Sequence, residues 1–199
     1  SNGVSFTINS HGATRCTLLL FKPQAPKPYA RIPFPDSYRI GDTYSMLVYD
    51  IKPDEFEYAF SFDGPYEPAK GLLFNEENVL LDPYARAVTG QRKWGEKPEG
   101  GKDFEYRARV VKSSFDWGNI KQLEQPFEDL VIYEIHVRGY TKDKSSGVSA
   151  PGTFAGLKDK IPYLKDLGIN AVELMPIFEF DEMESARVVD GVQLYNYWG

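Results

Sequence analysis

The sequence predicts a multi-domain protein in which an antiparallel β-sandwich is followed by the start of a parallel sheet. Two observations predict this division. Apolar and polar residues alternate through much of the first half, which is typical of half-buried strands. In the second half, apolar residues recur every third or fourth position between two apolar runs, which is typical of a strand, a helix and a strand. We place the sandwich at residues 1–113, a linker at 114–129 and the second domain at 130–199.

Five segments of the first half have the pattern of strands. Residues 4–8 and 56–63 alternate strictly, so each is predicted to bury one face. Residues 16–21 and 44–51 are apolar on both faces and are predicted to lie deeper in the core, and a last strand is expected near 107–112. Glycine, proline and aspartate separate the segments, as expected of turns. Strands at this spacing, without helical periodicity, favour an immunoglobulin-like antiparallel sandwich.

The second half predicts one right-handed βαβ unit. Residues 130–137 and 169–178 are apolar runs of strand length. Between them lies a helical stripe made of Phe154, Leu157, Ile161, Leu164 and Leu167. Pro162 lacks an N–H, so it kinks this helix or begins a second one, and Gly168 is expected to cap the C-terminus. A parallel sheet must be covered on both faces, which one such unit cannot achieve. We therefore expect this segment to be the start of a larger domain.

Composition excludes several classes of protein. The 199 residues are 42% hydrophobic, carry a net charge of −6 and include one cysteine, Cys16. This content is too apolar for a disordered chain, and one cysteine cannot form an intrachain disulfide. No apolar run approaches the length of a membrane span, and no basic block is present to neutralise phosphates, so we expect no membrane and no nucleic-acid partner. No cofactor is indicated.

The two ends of the sequence bear on its origin. No initiator methionine or signal-peptide pattern is present, and we expect a cytoplasmic location by default, with secretion of the parent protein left open. The last residues, 195–199, form a dense aromatic cluster, whereas natural C-termini are usually polar. We therefore expect the chain to be truncated.

Four motifs, the first of them in two parts, resemble one family in their order along the chain. Residues 60–74 read FSFDGPYEPAKGLLF and residues 80–88 read LLDPYARAV. They resemble the N-terminal sandwich of isoamylases and glycogen debranching enzymes, a family 48 carbohydrate-binding module. Residues 133–141 (YEIHVRGYT) and 152–177 (GTFAGLKDKIPYLKDLGINAVELMPI) are similar to the first strand, helix and second strand of their barrel. Residues 195–199 (YNYWG) are similar to the start of their NYWGY segment.

This resemblance implies a glycoside hydrolase of the α-amylase clan, family 13. Its catalytic domain is a (β/α)₈ TIM barrel, of which residues 130–199 would be the truncated start. The parent would debranch glycogen or starch by hydrolysing α-1,6 linkages with retention. The family's catalytic aspartates and glutamate lie on later strands, so no catalytic residue is assigned here and the chain alone is expected to be inactive. A pullulanase-like debrancher and a non-enzymatic carbohydrate-binding module remain alternatives.

The expected partners are an α-glucan (glycogen, starch or a maltooligosaccharide) and the remainder of the barrel. Aromatic rings stack on the apolar faces of glucose, and Tyr197 and Trp198 match the family's cleft-lining segment. Starch-binding modules of this class pair a tryptophan with a lysine, which Lys93 and Trp94 reproduce in a loop rich in Gly, Lys and Glu, with Trp117 as a second platform. A structural role is the alternative for Tyr197 and Trp198, and it is the favoured reading for Lys93 and Trp94. Exposed faces of the barrel start also predict self-association.

The second half carries polar and acidic residues on and after its predicted strands. Glu134, His136 and Arg138 are predicted to share one face of a strand, either as a polar barrel lining or as an ion-paired layer. Two ligands are too few for a usual metal site, so no metal is assigned. Residues 181–184 follow the second strand and are expected to form a solvated acidic loop rather than the edge of a sugar subsite.

Overall fold

In the computed structural model, which describes residues 3–89, 94–96, 106–121 and 123–198, the chain divides into two units, Ser1–Ser114 and Phe115–Gly199. The first unit is built from β-strands. They are β1 (Gly3–Asn9), β2 (Arg15–Phe21), β3 (Ala30–Pro33), β4 (Arg39–Ile40), β5 (Thr43–Tyr49), β6 (Glu57–Asp63), β7 (Tyr66–Glu67), β8 (Leu72–Leu73), β9 (Ala87–Thr89) and β10 (Arg107–Arg109). Short 3₁₀ turns cover Asp36–Tyr38, Pro53–Glu55 and Pro68–Lys70.

Two antiparallel sheets enclose the core of this unit. One has the strand order β1-β5-β4 and the other β3-β2-β6-β10-β9, while β7 and β8 form a separate hairpin. The inward residues of both sheets meet in a cluster rich in aromatics. The ring of Phe6 on β1 lies 5.1 Å from that of Tyr58 on β6, edge to face, and the Tyr44 hydroxyl on β5 donates to the Ala13 carbonyl at 3.0 Å. The predicted β-sandwich is confirmed.

Strand β6 differs from its prediction because both of its faces are buried. Glu57, Ala59 and Ser61, predicted to face solvent, are 3%, 0% and 3% exposed. The segment after the β7–β8 hairpin covers this second face, because Val79 packs against the cluster of Leu19, Phe21 and Ala59 and the Ser61 hydroxyl donates to the carbonyl of residue 76. Beside β6, Phe60 and Leu80 exchange two backbone hydrogen bonds of 2.8–2.9 Å. The apolar residues of the alternating pattern therefore face the main core, while Ala59, between them, belongs to a second and smaller one.

Strand β5 is less buried than the sequence predicted. It was predicted to bury both faces, but only Tyr44 and Met46 are buried, whereas Leu47 is 44% and Tyr49 60% exposed. The reason is its place in a three-stranded sheet whose outer face no described residue covers. Strand β2, predicted in the same way, does bury both faces, because Leu18 and Leu20 lie in the main core while Val79 packs against Leu19 and Phe21 on the other face.

A buried charged pair joins β6 to β10. Arg107 and Glu57 are 2% and 3% exposed, and the guanidinium Nη1 lies 3.6 Å from the carboxylate Oε2. The other carboxylate oxygen accepts a hydrogen bond from the Thr89 hydroxyl at 3.0 Å. The guanidinium also donates to the Ala25 carbonyl and stacks over the Phe21 ring at 3.6 Å. The pair thus connects four strands, β2, β6, β9 and β10, and the loop that contains Ala25.

The thiol of Cys16 is expected to be unreactive in the folded chain. Its side chain is fully buried, and burial raises its pKa from 9.0 to about 12 because the thiolate would be desolvated. Because the thiol of the unfolded chain ionises from about pH 9, the stability present below pH 9 is lost as the pH rises from 9 towards 12. A disulfide reagent at pH 8 should label no thiol in buffer and one per chain in guanidinium. Rapid labelling in buffer would contradict the burial of β2.

The second unit combines a parallel strand pair with short helices. Its elements are β11 (Ile132–Ile135), α1 (Val137–Lys142), α2 (Phe154–Asp159), α3 (Ile161–Asp166), β12 (Ala171–Leu174), β13 (Arg187–Val189) and β14 (Val192–Leu194), with 3₁₀ turns at Phe127–Asp129 and Lys144–Ser146. Strands β11 and β12 pair in parallel, with Ile132 opposite Ala171 and Ile135 opposite Leu174. In the described part of the chain, no helix has the length and apolar character needed to span a membrane.

The predicted helix is divided as expected at Pro162. The Thr153 hydroxyl accepts the Gly156 N–H and begins α2, and α3 starts at Ile161 with Pro162 in its first turn. Gly168, at φ +91°, ends α3, and the next N–H returns to the Leu164 carbonyl. Both helix predictions are confirmed.

Both parallel strands are shorter than predicted. β11 ends at Ile135, where the sequence predicted a strand to residue 137, because His136 turns the chain into α1. The hairpin β13–β14 was not predicted, although Asp190 and Gly191, at φ +50° and +77°, carry a well-known hairpin-turn signal.

Candidate functional site

An aromatic cluster lies at the carboxyl end of β11. It consists of His136, Tyr197 and Trp198, with Gly139 packed beneath Tyr197. The backbone holds this end of the parallel pair together, since the Met175 N–H donates to the Ile135 carbonyl at 3.0 Å. Ligand sites of parallel α/β sheets form at the carboxyl ends of their strands. The cluster is therefore the candidate site of the second unit.

His136 is fixed through both of its ring nitrogens. As the N-cap of α1 it accepts the Gly139 N–H at Nδ1, at 2.9 Å, so this nitrogen carries no proton. The proton of the neutral ring then lies on Nε2, which donates to the Tyr197 carbonyl at 2.9 Å. The two bonds set the orientation of the imidazole and attach the chain at residue 197 to the end of β11.

The rings form a stepped platform. Tyr197 stacks on His136 with the centroids 3.9 Å apart and the planes 11° from parallel. Trp198 stands edge-on to Tyr197, at 5.2 Å and 88°. Tyr197 is 44% and Trp198 61% exposed, so the indole is the more accessible ring. An accessible flat ring held by its neighbours is what stacking on the apolar face of a sugar requires.

Substituting Gly139 with alanine tests this packing. A Cβ at Gly139 would overlap the hydroxyl of Tyr197. Glycine to alanine in a helix normally stabilises by up to about 1 kcal/mol, but here we expect a loss of about 1–3 kcal/mol in the free energy of unfolding. The measurement is chemical denaturation followed by Trp fluorescence.

The matched control repeats this substitution without the tyrosine ring. In a Tyr197→Ala background the overlap is gone, so Gly139→Ala should become neutral or stabilising, as in an ordinary helix. The same destabilisation in both backgrounds would contradict the contact.

The acidic segment 181–184 is not the solvated loop that the sequence predicted. Glu182 is 1% exposed, and only Glu184 of the four faces solvent fully. The Asp181 carboxylate accepts the Met183 N–H at 2.9 Å, and the Glu182 carbonyl accepts the Asn196 N–H at 2.9 Å. The segment is therefore a turn that is hydrogen-bonded to the residue preceding the aromatic cluster.

The predicted shared face of Glu134, His136 and Arg138 is wrong. Only Glu134 lies in β11, since His136 caps α1 and Arg138 belongs to its first turn. Glu134 is exposed and lies opposite Glu173 of β12 in register. Within the described residues, no three side chains of metal-binding type lie together.

The remaining predicted site residues lie elsewhere. Trp94 is 41% exposed and belongs to the first unit, while Lys93 lies outside the described residues. Trp117, in the second unit, is 68% exposed and packs edge-on against Phe115 at 4.9 Å. The structure thus brings Tyr197 and Trp198 together and adds His136 and Gly139, which no sequence signal connects to them.

The sandwich matches a known class of domain. Residues 1–85 match the model of carbohydrate-binding module 48, the isoamylase N-terminal domain.

Similarity to known proteins extends beyond the sandwich and covers almost the whole chain. Isoamylase 1, chloroplastic, of Oryza sativa subsp. japonica is 37% identical over 99% of this chain and 25% of its own length. The glycogen debranching enzyme of Yersinia enterocolitica is 35% identical over 99% of this chain and 30% of its own. The predicted resemblance to the N-terminal part of isoamylases and glycogen debranching enzymes is confirmed. The chain spans about a quarter to a third of the length of these relatives.

Solved structures share the fold. Pullulanase from Paenibacillus barengoltzii, in complex with maltohexaose and α-cyclodextrin, superimposes with a TM-score of 0.70 over 90% of this chain and 26% of its own, at 19% identity. The Group B Streptococcus pullulanase SAP gives a TM-score of 0.70 at 21% identity.

Proposed function

We propose that this chain is part of an enzyme that hydrolyses the α-1,6 branch points of glycogen or starch. The observation that carries the proposal is similarity over 99% of the chain, at 35–37% identity, to an isoamylase and to a glycogen debranching enzyme. Such an enzyme would retain the anomeric configuration by double displacement, which uses two carboxyl groups about 5 Å apart. No residue of this chain is assigned to that pair.

Within this proposal, residues 130–199 are the first part of a (β/α)₈ barrel. The parallel pairing of β11 and β12, with helices between them, supports this assignment. Residues 1–113 would be the sandwich and 114–129 the linker. The apolar helix residues Phe154, Ile161 and Leu167 are 58%, 48% and 55% exposed. Further barrel elements would cover them, and in the isolated chain a second copy would do so.

Tyr197 and Trp198 would contribute a sugar-stacking surface to the cleft of the barrel. Their position after the carboxyl end of β11 supports this role, because active sites of such barrels are built at that end. Trp94, with Lys93, would be a second contact on the sandwich.

The test uses the whole enzyme encoded by the gene that contains this chain. We expect it to release linear maltooligosaccharides from glycogen, while the 199-residue chain alone releases no reducing ends. Glycogen cleaved in preference to pullulan supports the isoamylase type, and the reverse preference supports a pullulanase. Binding of glycogen without hydrolysis would leave a carbohydrate-binding protein and overturn the proposal.

A further inference from the structure

His136 contacts both of the aromatic residues to which the proposed function assigns sugar stacking. Its imidazole lies face to face with the ring of Tyr197. It also meets the indole of Trp198 edge-on, with the centroids 6.3 Å apart and the planes at 86°. Because Trp198 stands edge-on to Tyr197 as well, the indole is placed by two rings. Of the three residues His136 alone follows β11 directly, so it connects the cluster to the parallel strand pair.

The chain is held at two consecutive residues immediately before Trp198. The Asn196 N–H donates to the Glu182 carbonyl at 2.9 Å, and the Tyr197 carbonyl accepts the Nε2–H of His136 at 2.9 Å. Glu182 follows β12 and His136 follows β11, so these hydrogen bonds attach the segment beyond both parallel strands. The first bond joins two backbone groups, whereas the second depends on the side chain of His136.

Capping of α1 does not by itself require a histidine. The Gly139 N–H needs one acceptor, which Nδ1 of His136 provides at 2.9 Å, and asparagine, aspartate and serine are the usual residues at such a position. Their shorter side chains offer no ring on which Tyr197 could stack and do not extend to its carbonyl. The two features that distinguish histidine here, the second nitrogen and the flat ring, are both used on the aromatic cluster.

The contacts of His136 are those of a positioning residue. Both ring nitrogens are hydrogen-bonded to backbone groups, one to the Gly139 N–H and the other to the Tyr197 carbonyl. Neither nitrogen is therefore left to give a proton to a substrate or to take one from it. Among the described residues no carboxylate bonds to this ring, so the arrangement lacks the acid partner that orients a catalytic histidine.

From these contacts we infer that His136 positions the sugar-stacking surface. Its Nε2–H and its ring face hold Tyr197, and the two stacked rings together hold the indole of Trp198 in the orientation that a glucose unit meets. The binding of glucan by this surface rests on the proposed function. The positioning of Trp198 by His136 rests on the contacts alone. Loss of His136 should weaken glucan binding and leave the rate of bond cleavage almost unchanged.

The variant His136→Asn separates positioning from helix capping. The asparagine oxygen takes the place of Nδ1 and keeps the cap, whereas the Nε2 donor and the ring are lost. In the 199-residue chain we expect the Gly139 amide to stay protected from hydrogen exchange. The indole N–H resonance of Trp198, assigned with Trp198→Phe, should move towards its position in the unfolded chain. His11→Asn changes the other histidine, whose side chain is 88% exposed, and as the matched control should alter neither signal.

The whole enzyme then tests what the positioning does. His136→Asn should raise KM for glycogen at least about fivefold and change kcat less than about twofold. Because the Trp198 resonance is measured without sugar, it tests the positioning independently of hydrolysis, so the inference and the proposed function fail separately. A Trp198 resonance that His136→Asn leaves in place, or a fall in kcat at constant KM, would overturn the inference.

Discussion

Replacing Phe60 with alanine is expected to lower the free energy of unfolding of the sandwich by about 3–5 kcal/mol. The ring is 1% exposed and lies 5.8–6.3 Å, centroid to centroid, from those of Phe34, Tyr58 and Phe62. Its loss leaves a cavity in the middle of β6 that neighbouring strands cannot fill without breaking their pairing. Guanidinium unfolding, with exposure of the Cys16 thiol as the probe of the sandwich, gives the measurement.

Phe127→Ala is the matched control for this substitution. It removes the same side chain from a position that is 83% exposed and should change stability by less than about 0.5 kcal/mol. A loss below about 1 kcal/mol for Phe60→Ala would show that the aromatic cluster is not the core of the sandwich.

Replacing Arg107 with alanine is expected to cost a similar amount, about 3–5 kcal/mol, for a different reason. The substitution leaves the carboxylate of Glu57 buried without its cation, which is the expensive way to break a buried ion pair. It also removes the guanidinium from the Phe21 ring. The same unfolding experiment measures the loss.

A double variant separates charge from packing. Glu57→Leu combined with Arg107→Leu removes both charges and should be clearly more stable than Arg107→Ala, because no unpaired charge is left behind. Added salt should change the stability of the unsubstituted chain little, because dissolved ions screen a buried pair only weakly. A double variant as unstable as the single one would assign the effect to packing alone.

The first unit shows how far alternation along a strand predicts burial. The inward faces of β1, β5 and β6 were predicted correctly, since Phe6, Tyr44 and Phe60 all lie in the core. What covers the outer face of each strand depends on segments distant in sequence. Val79 packs on the outer face of β6, whereas Leu47 and Tyr49 on the outer face of β5 are 44% and 60% exposed.

The second unit shows the same limit at the candidate site. The break between the two helices and the end of the second could be predicted, because Pro162 and Gly168 act on residues next to them in the sequence. The link between His136 and Tyr197 could not, because the two residues are 61 positions apart. The hydrogen bond between the Asn196 N–H and the Glu182 carbonyl likewise joins residues that are distant in sequence.

Proton NMR of glycogen incubated with the whole enzyme tests the proposed function most directly. We expect the anomeric signals of α-1,6 linkages to decline while those of α-1,4 linkages remain, and the new reducing ends to appear first as the α-anomer, as double displacement requires. Unchanged α-1,6 signals, loss of α-1,4 linkages, or first release of the β-anomer would contradict a retaining debranching enzyme.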